Sequence, residues 1–124
     1  MSIRWQLAIE CSSTGGSVAL LKIQPPDNGL VLFSQNCLPT DRGSVQSLAP
    51  AIDQSLKKAQ LRPSDLEFLS VTVGPGSFTG LRVGLATAKM LALGCALPIA
   101  PVDTLAAIAL RFANETRPAV ERPT

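Results

Sequence analysis

The run VTVGPGSFTGLRVGLATAK, Val71 to Lys89, leads from β-branched residues through a Gly-Pro-Gly turn into a helix rich in small residues, which is the outline of a phosphate-binding loop. The details depart from that motif. A phosphate loop ends in Gly-Lys-Ser/Thr, whereas here five residues separate Gly74 from Gly80 and Leu81 stands in the lysine's place. What remains is backbone: the N–H groups from Gly76 to Gly80 open a helix, where the dipole favours an anion. Gly74, Gly76 and Ser77 are therefore candidate anion contacts, against the alternative of a turn whose glycines serve only backbone geometry. Glu10 is the second candidate, closing a β-like run and followed by Cys11 and Ser12. A strand-end carboxylate beside small polar residues can orient a metal ion and phosphates, or be a surface glutamate without chemistry. Glu10, Ser12, Gly74, Gly76 and Ser77 compose the nucleotide or anion site that this sequence allows.

Composition excludes most other chemistry. The chain has no histidine, so a Ser-His-Asp triad, a Cys-His pair and a histidine-ligated zinc are impossible within it. Only carboxylates, lysines and cysteines remain for acid–base chemistry, and no resident metal or other cofactor is expected. Cys11, Cys37 and Cys95 are scattered, form no Cys-x-x-Cys pair, and read as reduced core residues of a cytosolic protein. Lys and Arg number 11 against 9 Asp and Glu, with no basic block interleaved with aromatics, which argues against autonomous RNA binding. An apolar fraction of 46% in 124 residues predicts one domain with a packed core. The N-terminus lacks a signal-peptide pattern, and the most apolar run, Leu81 to Pro101, is broken by Arg82, Lys89 and Gly94. No membrane span is expected, and the chain reads as cytoplasmic.

The elements that must position these residues follow from periodicity. RWQLAIEC alternates, SVALLKI and LVLFSQNC follow after turn-rich SSTGG and QPPDNG, and the three make an antiparallel meander. Val45, Leu48, Ala49, Ile52, Leu56 and Ala59 then recur at helical spacing. The helix is placed at Ser47 to Gln60, with Ser47 as N-cap so that Pro50 falls in its first turn; an earlier start would put a kink at Pro50. FLSVTV is a fourth strand, Phe78 to Leu93 a second helix, a fifth strand lies near Ile99, and a third helix capped by Asp103 or Thr104 runs to about Asn114. On a wheel of about 100° per residue, Gly80, Gly84, Thr87, Ala88 and Leu91 of the second helix cluster opposite Arg82 and Lys89. This order predicts an α/β lobe of the ribonuclease H-like or actin-like ATPase type, a mixed five-stranded sheet flanked by helices. Residues 1–113 form the lobe and 114–124 a linker or frayed tail.

LAIECSSTGGSVALL, SLAPAIDQSLKKAQLRPSDLEFLSVTVGPGSFTGLRVGLATAKMLAL and LPIAPVDTLAAIA together resemble the N-terminal lobe of the TsaB (YeaZ) family, the non-catalytic partner in bacterial threonylcarbamoyladenosine modification of tRNA. The likeness spans about residues 5–110, and Gly74 to Arg82 is its most specific part. It implies a two-lobed actin-like fold whose second lobe has no counterpart after the segment NETRPAVERPT. It also implies a subunit without catalysis of its own that pairs with a TsaD-like protein, with a TsaE-like ATPase in the same complex, tRNA reached only through that complex, and a homodimer when alone. The first two helices would supply the interface, through Leu48, Ala51, Ile52, Ser55, Gly80, Gly84, Thr87, Ala88 and Leu91, the alternative being that the small face of the second helix packs on the chain's own sheet. TsaD binds a metal through two histidines, and Asp103 and Thr104 stand where the first of them would be. Glu10 replaces the aspartate of many members, and Ser44 a histidine. The alternatives are an actin-like nucleotide-binding enzyme lobe and a remnant that only self-associates.

Overall fold

The computed structural model describes residues 3–12, 15–25, 29–39 and 43–116. Strands β1 (Arg4–Glu10), β2 (Ser17–Gln24) and β3 (Gly29–Cys37) form the meander, followed by helix α1 (Gly43–Lys58), a single 3-10 turn (Pro63–Asp65), β4 (Phe68–Gly74), α2 (Phe78–Cys95), β5 (Ile99–Asp103) and α3 (Thr104–Thr116). One mixed sheet results, in the order β3-β2-β1-β4-β5. Leu7 stands opposite Leu20 on antiparallel β2 and beside Leu69 on parallel β4, and β5 extends the parallel half. The Pro26 to Asn28 turn and the tail 117–124 lie outside the described residues, and residues 114–116, expected as tail, are helical.

Alternation decides which side of the sheet is core. Leu7 and Ile9 of β1, Val18 and Leu20 of β2, and Leu69 and Val71 of β4 are buried on one face, together with Leu48, Ile52 and Leu56 of α1 and Ala88 of α2. Trp5 and Phe33 extend this layer, their rings meeting edge-to-face at 5.3 Å with the Lys22 ammonium over both.

One helix prediction changes. α1 begins at Gly43, not at Ser47, which leaves Pro50 inside the helix. Proline has no N–H to give the Gln46 carbonyl, and tertiary contacts hold the helix past that point. The Asn36 amide of β3 donates to the Ala51 carbonyl (3.2 Å) and to Ser55 Oγ (2.9 Å), and Ser55 Oγ donates to the same carbonyl. The small face of α2 turns inward: Gly80, Gly84 and Ala88 are its buried residues. A Cβ at Gly84 would stand 3.3 Å from Cys11 Cβ and 3.6 Å from Ile9 Cγ2, so helix backbone rests directly on strand side chains.

Gly84→Leu should therefore destabilise the lobe by about 1–3 kcal/mol, the usual cost of overpacking a dense core. Urea unfolding followed by circular dichroism checks this, and an unchanged midpoint would mean that α2 is not seated on β1.

Candidate functional site

The three parallel strands end on the same side of the sheet. The chain leaves β1 towards β2 but leaves β4 towards β5, so the β1/β4 boundary is a topological switch point, where open α/β sheets place their ligands. Glu10, the last residue of β1, stands there. Its Oε1 accepts from the Ser12 N–H (2.7 Å), from Ser12 Oγ and from Thr72 Oγ1 of β4 (3.2 Å). Thr72 Oγ1 in turn accepts from the Cys11 N–H at 3.4 Å. Ser12 and Thr72 are buried, Glu10 half-buried. One carboxylate oxygen is thus saturated, while Oε2 has no hydrogen bond among the described residues.

The opposite wall is the turn from β4 into α2. Ser77 N–H donates to the Ser12 carbonyl, and a side chain at Gly76 would overlap that same oxygen. Gly16, with φ of +23°, fits as closely over the Glu10 carbonyl. The Gly74–Pro75 bond in this turn is cis. Ser77 caps α2 by accepting from the Gly80 N–H (3.4 Å), and the Phe78 and Thr79 N–H groups find no acceptor among the described residues. Beyond β4, Asp103 lies beside Gly74 and caps α3 by accepting from the Ala106 N–H at 2.9 Å. Thr104 follows it, buried, with Oγ1 unpartnered among the described residues.

The five residues expected to form an anion site, Glu10, Ser12, Gly74, Gly76 and Ser77, therefore meet at one end of the sheet. Sequence reading missed Thr72, which touches Glu10 across 62 positions and looks locally like any β-branched strand residue.

The residues expected to face a partner behave otherwise. Leu48, Ala51, Ile52, Ser55, Gly80, Gly84 and Ala88 are buried by the chain's own sheet and helices, because small residues suit close packing wherever it occurs. Thr87 and Leu91 alone among them are half-buried, lining an apolar cleft of about 220 Å³ between α1 and α2 with Ala49, Ile52, Leu56 and Met90. The cysteine expectation also changes: Cys11 is buried, but Cys37 is exposed on the edge strand and Cys95 is intermediate.

Comparison with known proteins adds three findings. The family model "TsaD: tRNA N6-adenosine threonylcarbamoyltransferase" matches residues 39–123. A tRNA N6-adenosine threonylcarbamoyltransferase of Streptococcus equi subsp. equi (strain 4047) is 39% identical over 119 residues, covering 86% of this chain and 34% of the relative. YeaZ from Pseudomonas aeruginosa superposes with a TM-score of 0.73 at 28% identity, over 90% of this chain and 49% of that one. The chain thus spans about a third of the length of the curated relatives it matches.

These findings uphold the ribonuclease H-like, actin-like fold and the link to tRNA threonylcarbamoyladenosine synthesis. They leave the finer assignment to TsaB without confirmation, since the family model and the curated names are those of TsaD. They overturn the expectation of a chain outside the enzyme class, because those relatives are named as transferases. A histidine-bound metal of the TsaD kind does not fit these residues. The chain has no histidine, and the described residues hold no group of three or more His, Cys, Asp or Glu placed to hold a metal ion. No helix among the described residues is long and apolar enough to cross a membrane.

Thr72→Val keeps the shape of the side chain but removes the hydroxyl between Glu10 and Cys11. It should lower stability by about 1–2 kcal/mol, with Thr72→Ser close to wild type. Denaturant titration of both variants checks this; equal losses would place the effect in packing rather than in the hydroxyl.

Proposed function

The chain belongs to the TsaD family of tRNA N6-adenosine threonylcarbamoyltransferases, and from that premise we propose that it supplies one actin-like lobe of the machinery that transfers a threonylcarbamoyl group to adenosine in tRNA. The observation that carries this reading is the tethered carboxylate at the switch point. Among the described residues Glu10 Oε2 accepts no hydrogen bond, and at the same end of the sheet the Phe78 and Thr79 N–H groups that open α2 have no acceptor. Such a site can take an anionic oxygen on the helix side and a hydrogen-bond donor or cation on the carboxylate side. A threonylcarbamoyl group carries both kinds of atom, a carboxylate together with urea-type N–H and hydroxyl donors. A nucleotide phosphate with its cation would use the same polarity, which is the form the nucleotide-binding alternative takes.

In this reading the lobe pairs with a TsaD-like protein. Its docking place is the apolar cleft between α1 and α2, where Thr87, Met90 and Leu91 face Ala49 and Leu56. Met90, on the rim of this cleft, is 71% exposed.

Removal of this chain from its host should lower N6-threonylcarbamoyladenosine in bulk tRNA, measured by nucleoside mass spectrometry. Wild type should restore it, while the isosteric Glu10→Gln should slow transfer on the order of 10²-fold. Unchanged modification on removal would overturn the reading. In the same host, Met90→Asp should weaken co-purification of the partner chain by at least about ten-fold, because it adds a second carboxylate to a cleft where Asp53 already occupies Lys57.

A further inference from the structure

The outward side of α2 has no role in the site just described. At about 100° per residue, Phe78, Arg82, Ala86, Lys89 and Leu93 fall on one stripe, opposite Gly80, Gly84 and Ala88. All five are exposed, Phe78 at 73% and Leu93 at 86%. The Arg82 guanidinium lies over the Phe78 ring at 5.3 Å, and beside it Thr79, Arg82, Val83 and Ala86 line a cleft of about 300 Å³. α2 contains no Asp or Glu, and among the described residues no carboxylate pairs with Arg82 or Lys89. An exposed ring under a guanidinium, followed two turns later by a second free cation, has the charge of a phosphate contact and the apolar face of a base contact.

We propose that this stripe binds an unpaired nucleotide stretch of RNA, a base stacking on Phe78 and the neighbouring phosphates meeting Arg82 and Lys89. The inference rests on the reading that the substrate is tRNA. Three features favour unpaired RNA over the other anionic partners. Unstacked bases are held on aromatic and arginine planes, which a duplex does not expose and an acidic protein surface does not require. The two cations stand about 10.5 Å apart along the axis, within reach of phosphates on one strand rather than of a single carboxylate. Phe78 also opens the helix whose N-cap, Ser77, donates to the Ser12 carbonyl, so the stripe begins at the same end of the sheet as Glu10. Two cations give modest affinity, consistent with a net charge of +2: the stripe orients RNA that the assembly as a whole retains.

The test uses the full chain and fluorescence anisotropy with a labelled RNA hairpin carrying a single-stranded loop, compared with a fully paired duplex of similar composition. Wild type should prefer the hairpin. Phe78→Leu should weaken hairpin binding about ten-fold while leaving the duplex unchanged. Arg82→Lys, which keeps the charge but loses the planar stack, should fall between the two. Lys89→Gln should weaken both RNAs and reduce the slope of log affinity against log salt by about one. All three positions are exposed, and unchanged circular dichroism confirms folding. No hairpin binding by wild type, or hairpin affinity indifferent to Phe78→Leu, overturns the proposal. So does a result in which the variants impair only association with the partner protein, which would assign the stripe to a protein contact. Failure of this inference is distinguishable from failure of the transferase reading. Modification that depends on the chain without a Phe78 effect on RNA affinity sinks only the former. Phe78-dependent hairpin binding with no effect of the chain on modification sinks only the latter.

Discussion

The seating of Gly84 on Cys11 and Ile9 sets the geometry of everything at the working end of the sheet. An α-helix is stiff over two turns, so fixing residue 84 against β1 also fixes where the helix begins, at Ser77 and Phe78. The Ser77 N–H then reaches the Ser12 carbonyl, and Gly76 clears that oxygen only because it lacks a side chain. The loops after β1 and β4 are thereby joined backbone to backbone. A helix held off by even one larger residue would carry its free N–H groups away from Glu10.

The other side of the lobe shows how a local fault is tolerated. Pro50 interrupts the hydrogen-bond ladder of α1, an arrangement that costs an isolated helix about 3 kcal/mol. Asn36 and Ser55 converge on the next turn, at the Ala51 carbonyl, and tie it to β3. Buried Leu48, Ile52 and Leu56 hold the helix to the sheet on both sides of the proline. At the far edge, β5 accommodates Pro101 because its outer side pairs with no other strand among the described residues.

Much of this was legible in the sequence because strands and helices print their periods in the apolar residues. Leu7 and Ile9, Val18 and Leu20, and Leu69 and Val71 alternate as the sheet requires, and the inward face of α2 could be drawn on a wheel. What was not legible depended on distance in the chain. The continuity of α1 past Pro50 is helped by a side chain from β3, and Glu10 is held by a hydroxyl 62 residues away. The small-residue face of α2 was correctly located but ambiguous in meaning, since Gly80 and Gly84 describe only how near a neighbour comes. Here the neighbour is the chain's own β1. Cys37 was misread for a related reason, because composition predicts reduced cysteines but not that β3 would be an edge strand.

The asymmetry of Glu10 bears on what the site can recognise. A free glutamate side chain must lose its rotamer freedom when it binds, at a cost of up to about 2 kcal/mol. In this lobe Ser12 and Thr72 have already imposed that order, through donors on one oxygen alone. On the proposed reading the remaining oxygen meets its ligand in a fixed direction, at the end of the sheet where the first N–H groups of α2 favour the opposite charge. A simple anion would satisfy the helix and be repelled by the carboxylate, and a simple cation the reverse. A ligand that carries both an anionic oxygen and a donor, or an anion with its own cation, satisfies the two walls together. On the proposed reading, this two-sided demand is the lobe's contribution to selectivity, and it arises from the same close approach of α2 to β1 that holds the fold together.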